Sequence, residues 1–126
     1  DAKGLRPMHA RKTGALIRAA AVSGAIIAGG NAQTVQAIDA YAAELGLAFQ
    51  IIDDILDVEG SAGELGKSIG KDASAAKPTY PSLFGVARSR ELAAECVARA
   101  HRVLVDGSIR DGWLAPIADW VVSRRN

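Results

Sequence analysis

Apolar residues recur every third or fourth position along most of this chain, and no segment alternates with period two for long enough to make a strand. Thr13, Leu16, Ile17, Ala20, Ser23, Gly24 and Ile27 fall at helical spacing in a first predicted helix over about 9–28, which Gly29 and Gly30 stop. Its many small residues allow a neighbouring helix to come close. A second helix, over about 33–58, starts from a cap between Asn31 and Thr34 and carries Val35, Ile38, Tyr41, Leu45, Phe49 and Ile52. Between residues 59 and 81 the period breaks, punctuated by Gly60, Gly63, Gly66 and Gly70 and closed by Pro78 and Pro81. A connection of that length reads as a binding loop or lid rather than an ordinary turn. Helical spacing returns over about 82–105 and 113–125, with Asp106-Gly107 and Asp111-Gly112 as breaks, and Trp113 and Trp120 are expected in the core of this last helix pair. The pattern predicts an all-α fold.

The second helix contains an anomaly. Gln50, Asp53, Asp54 and Asp57 fall within one stripe, at roughly 100° per residue, while Leu45, Phe49, Ile52, Ile55 and Leu56 share the opposite side. Asp53 and Asp57 stand four residues apart, where like charges repel by about 0.2–0.5 kcal/mol, and Asp is a poor helix former. Something should offset that cost. A divalent cation is one answer, because carboxylate oxygens suit magnesium, which takes one or two protein carboxylates and completes its shell with water and phosphate. A solvated acidic face is the other.

Composition narrows the class more than the chemistry. With 126 residues, 49% hydrophobic and 23% charged, the chain fits one ordinary globular domain. A net charge of +1 gives no pull toward nucleic acid or a membrane surface. The single Cys96 excludes an internal disulfide framework and a thiolate metal site, so a reducing, cytoplasmic setting is expected. The longest nearly apolar run, Ala19 to Gly30, is too short to span a bilayer. Basic groups do gather locally. Lys12 and Thr13 sit near the start of the first helix, where free N–H groups favour anions, and Lys67, Lys71 and Lys77 lie in the glycine-rich segment. Together with the acid stripe they suggest a metal bridged to phosphates. The run Gly60 to Ser68 is not a P-loop: its spacing is one residue too long and an acidic helix, not a strand, precedes it.

These motifs, in this order, resemble the all-trans polyprenyl diphosphate synthases, and within them the bacterial farnesyl diphosphate synthase type. His9-Ala-Arg-Lys12-Thr13-Gly14 is similar to the family's H-x-x-K-T-G segment. Phe49-Gln50-Ile-Ile-Asp53-Asp54-Ile-Leu-Asp57 is similar to its second aspartate-rich motif. Gly66-Lys67-Ser-Ile-Gly70-Lys71-Asp72 and Lys77-Pro-Thr-Tyr80-Pro81 are similar to the two segments that follow. The resemblance covers the whole chain but only the family's C-terminal part; the first aspartate-rich motif and the isopentenyl diphosphate site are not in it. It implies the isoprenoid synthase helical fold, with residues 1–126 as a C-terminal fragment of one catalytic domain, inactive alone and expected to oligomerise, swap or lose order when isolated. The parent enzyme would be a magnesium-dependent prenyltransferase of isoprenoid biosynthesis, a homodimer that joins an allylic diphosphate to isopentenyl diphosphate and releases pyrophosphate. By the same resemblance Lys12, Lys67 and Lys77 grip the allylic diphosphate, Thr13 and Gln50 lie beside its reacting end, and Asp53 is the main magnesium ligand, with Asp54 and Asp57 acting directly or through water. Lys12, Thr13, Gln50 and Asp53 form the expected catalytic set. Lys71 stays outside it, and His9, Phe49 and Tyr80 are expected as structural residues. The tail 123–126 is expected to be solvated rather than bound to nucleic acid, although Arg124 is close enough in sequence to the last helix to reach the site. A non-catalytic subunit on the same scaffold is the alternative, and a terpene cyclase of similar fold a weaker one.

Overall fold

The computed structural model describes residues 13–64, 78–110 and 112–125, and among these there is helix and no strand. Five helices follow in order: α1 (Ala15–Ile27), α2 (Ala32–Glu64), α3 (Tyr80–Phe84), α4 (Val86–Asp106) and α5 (Leu114–Ser123). The all-α expectation therefore holds. No helix of the described residues is long and apolar enough to cross a membrane.

α1 ends as expected: Gly29 takes φ +78°, and the N–H groups of Ala28, Gly29 and Gly30 turn back onto carbonyls of Gly24, Ile26 and Ala25. Asn31 then caps α2, its Oδ1 accepting the Thr34 N–H at 2.9 Å. At 33 residues α2 is the axis of the molecule, roughly 50 Å long. Its buried stripe, Tyr41, Ala42, Leu45, Ala48, Ile51, Ile52 and Ile55, packs on Ala93, Cys96, Val97, Ala100 and Leu104 of α4, with Ala118 and Val121 of α5 beside them. Alanines at the crossings bring the helices close, which is why a chain so poor in aromatics still fills its core. Polar ties join the same elements. Tyr41 donates its hydroxyl to the Leu114 carbonyl at 2.6 Å, His101 meets Asp119 at 2.7 Å, and Arg99 reaches Glu44 at 3.0 Å.

Three expectations are corrected. The second helix runs to Glu64, through Gly60 and Gly63, rather than ending at 58. Each glycine costs about 1 kcal/mol in a helix interior. One tertiary contact acts against that cost: Glu59 pairs with Arg90 of α4 at 2.7 Å. The helix expected over 82–105 is two helices. Thr79 and Ser82 form a reciprocal capping box that starts α3 at Tyr80, with Pro81 in its first turn, and Gly85 at φ +79° breaks the path before α4. Trp113 and Trp120 are not in the core; they are 76% and 60% exposed, because α5 turns its small residues Ala118 and Val121 inward.

Candidate functional site

The acid run of α2 lies where α5 ends, and the structure divides it. Gln50 and Asp54 are buried, and the Gln50 side-chain amide donates from Nε2 to Asp54 Oδ1 at 3.2 Å. Asp53 is half-buried and Asp57 is exposed. Both line a cleft of about 610 Å³ together with Leu56, Trp120, Arg124 and Arg125. A second hollow of about 600 Å³ adjoins it, sharing Leu56, Arg124 and Arg125 and adding Glu59 and Arg90. The stripe expected to aim four polar side chains outward thus aims two, and turns two into the packed interior.

The repulsion between Asp53 and Asp57 has a local answer that charge spacing alone did not identify. Arg124 Nη2 donates to Asp53 Oδ1 at 3.1 Å, and the same nitrogen reaches the Phe49 carbonyl at 3.2 Å. Arg124 Nε donates to the Val121 carbonyl at 3.3 Å. The guanidinium carbon stands 3.9 Å from the centre of the Phe49 ring and 5.7 Å from that of Trp120. Its side chain is only 14% exposed, so this part of the tail is docked rather than solvated. Phe49, expected as a packing residue, is half-buried beneath this cation, and Tyr80, expected likewise, is buried.

Thr13 is half-buried at the opening of α1. The next residue, Gly14, is buried where α1 meets α2: a Cβ on Gly46 would come 2.8 Å from the Gly14 Cα. Two backbones approach closely there, and a side chain at position 46 would not fit without a shift. The contact brings the start of α1 against α2 one turn ahead of Gln50. Lys12, Lys67 and Lys77 lie outside the described residues, as do His9 and Lys71.

Among the described residues no three His, Cys, Asp or Glu side chains converge as a complete protein cage for a metal. Magnesium does not need one, since it keeps waters and shares its shell with phosphate oxygens. Hard carboxylate oxygens from Asp53 and Asp57 on an open cleft fit that chemistry. Asp54, expected as a further ligand directly or through water, is buried and accepts the Gln50 amide on Oδ1.

Comparison with known proteins adds what geometry lacks. The polyprenyl synthetase family model matches residues 2–103. Geranylgeranyl pyrophosphate synthase 10 of Arabidopsis thaliana is 44% identical over 120 residues, which cover 94% of this chain and 35% of that protein. A dimethylallyltranstransferase of Fischerella ambigua is 42% identical over 124 residues, 98% of this chain and 36% of its own length. A crystal structure assigned as a farnesyl-diphosphate synthase of Marinomonas sp. superposes with a TM-score of 0.72 at 30% identity, over 94% of this chain and 39% of that one. The chain spans little more than a third of the length of these relatives.

Proposed function

This chain belongs to the polyprenyl synthetase family, and we propose that it supplies one wall of the active site of a short-chain prenyl diphosphate synthase, in a homodimeric protein of its relatives' length. The reaction is transfer of an allylic group from its diphosphate to isopentenyl diphosphate, with release of pyrophosphate. The relatives' names, geranylgeranyl synthase and dimethylallyltranstransferase, support the chemistry, and the all-α isoprenoid synthase architecture shared with the Marinomonas protein supports the placement.

The observation that carries this function is the pairing of Asp53 and Asp57 on one cleft of α2, a turn beyond a buried Gln50. Asp53 and Asp57 are the carboxylates suited to hold magnesium, whose chemistry when bound is to neutralise charge growing on the departing diphosphate. Gln50 has a separate task. With its N–H₂ committed to Asp54, the amide cannot flip freely, and its carbonyl oxygen is left as the end available to an electron-poor carbon. Asp54 acts by orienting that amide. By the motif resemblance Thr13, next to the Gly14 that contacts α2, offers a hydroxyl oxygen to the reacting end. Lys12, Lys67 and Lys77 complete the anion site as ammonium donors to the diphosphate. The apolar body of the bundle excludes water that would quench the cation.

The test is an assay of the full-length protein with isopentenyl diphosphate and allylic diphosphates of increasing length, reading pyrophosphate release and product size. Condensation products that require magnesium are expected. If no allylic diphosphate is turned over by folded full-length protein, a non-catalytic scaffold subunit takes the place of this proposal.

A further inference from the structure

Arg124 makes more contacts than a tail residue needs. It reaches two main-chain carbonyls, one aromatic face and the Asp53 carboxylate, while only 14% exposed. The carbonyls and the ring would hold the guanidinium in place without Asp53, so its position is set independently of the ion pair. Asp53, by contrast, has its charge met on one oxygen by a cation that belongs to a different helix end.

We infer that Arg124 is a positioning residue that acts as a resident counter-cation for Asp53, and that it sets how tightly the cleft takes a divalent metal. This rests on Asp53 being a metal-holding residue of the proposed active site. The physical case is competition for one carboxylate. A guanidinium at 3.1 Å already neutralises Asp53, and a divalent ion brought to the same carboxylate meets both a partly satisfied ligand and a fixed like charge. Coupling of this kind is reciprocal: whatever Arg124 takes from metal affinity, bound metal takes from the Arg124–Asp53 pair. Such a device keeps the acid run from self-repulsion when no diphosphate is present. It also makes strong metal binding depend on a second source of metal ligands, namely phosphate oxygens.

The experiment measures Mn²⁺ affinity of the full-length protein by electron paramagnetic resonance, with and without inorganic pyrophosphate, for wild type, Asp53→Asn, Arg124→Ala and Arg124→Lys. Arg124→Ala is expected to bind Mn²⁺ about five- to tenfold more tightly than wild type in the absence of pyrophosphate. The Lys variant keeps the charge and should return toward wild type, and pyrophosphate should narrow all the differences. A merely structural arginine would weaken or leave unchanged the metal affinity on removal, never tighten it. If Asp53→Asn abolishes binding while Arg124→Ala leaves it unchanged or weaker, the counter-cation role is wrong and the metal role of Asp53 stands. If Asp53→Asn binds Mn²⁺ as wild type does, Asp53 is no metal ligand and the inference falls with it.

Discussion

Asp53 sits at the meeting point of the cleft, the last helix and the acid run, so its replacement is the sharpest single-residue test. In the full-length protein Asp53→Ala is expected to lower kcat by about 10²–10³, the scale for losing one charge-stabilising group. It should also raise the magnesium concentration needed for half-maximal rate; steady-state kinetics near wild type would remove Asp53 from the site. The acid run was legible in the sequence because carboxylates inside an apolar helix carry a visible local cost. Its internal division was not, since a helical wheel gives angles but not the place where another helix covers them. Gln50 and Asp54 share the angular stripe of Asp53 and Asp57 and are nonetheless buried. Arg124 was readable only as a charge near the end of an apolar helix. What the aromatic residues do depends on the same missing information: Phe49 and Trp120 flank a guanidinium.

At the level of elements, α1 packs along α2 through partly buried Ile17 and Ala21, and two further ties between them can be tested. None of its 13 residues is fully buried, and the Gly14–Gly46 contact and the Arg18–Asp39 pair add to that packing. Gly46→Ala would force a methyl to within 2.8 Å of the Gly14 Cα. Backbone cannot rotate aside as a side chain does, so the start of α1 must shift, at a cost of about 1–3 kcal/mol. The expected readout in full-length protein is a lower urea midpoint together with a raised KM for the allylic diphosphate; unchanged values of both would mean that α1 is not held there. Arg18 and Asp39 are bidentate, at 2.8 and 2.6 Å. The hydrogen bond from Arg18 holds the Asp39 carboxyl below its ordinary value, opposed by desolvation and aided by charge attraction. A carboxyl lowered on folding stabilises the protein above its unfolded pKa, and that stability is lost as pH falls through the folded value. The pair is 46% and 38% exposed, so screening limits it to no more than about 1 kcal/mol. Asp39→Asn should therefore lower stability slightly at pH 7 and hardly at all below the folded pKa of Asp39, as urea denaturation at both pH values would reveal. Element type and order were readable from periodicity, whereas ends that depend on tertiary ties were not. On the extension of α2 beyond 58, Glu59 meets Arg90, 31 residues away in the sequence.

On the scale of the whole molecule, α1 turns Leu16, Ile26 and Ile27 toward solvent at 72%, 59% and 86% exposure. An apolar helix face of that kind is an association surface when nothing covers it. The 126-residue chain by itself is accordingly expected to self-associate with rising concentration in sedimentation velocity, and Leu16→Lys with Ile27→Lys to shift it toward monomer. A monomer at high concentration without those changes would show that the face is tolerated bare. The fold class was legible because, among the described residues, every segment with a strong period is helical. The site was only partly so, because a cleft is built from elements distant in sequence. The backbone crossing of Gly14 and Gly46 limits how such a molecule can be rebuilt. A defect at one glycine has no complementary side chain at the other to repair it, so suppressors of Gly46→Ala should arise at residues that set helix separation, such as Ile17 and Ala21. Chimaeras between relatives would for the same reason need to inherit α1 and α2 from a single parent.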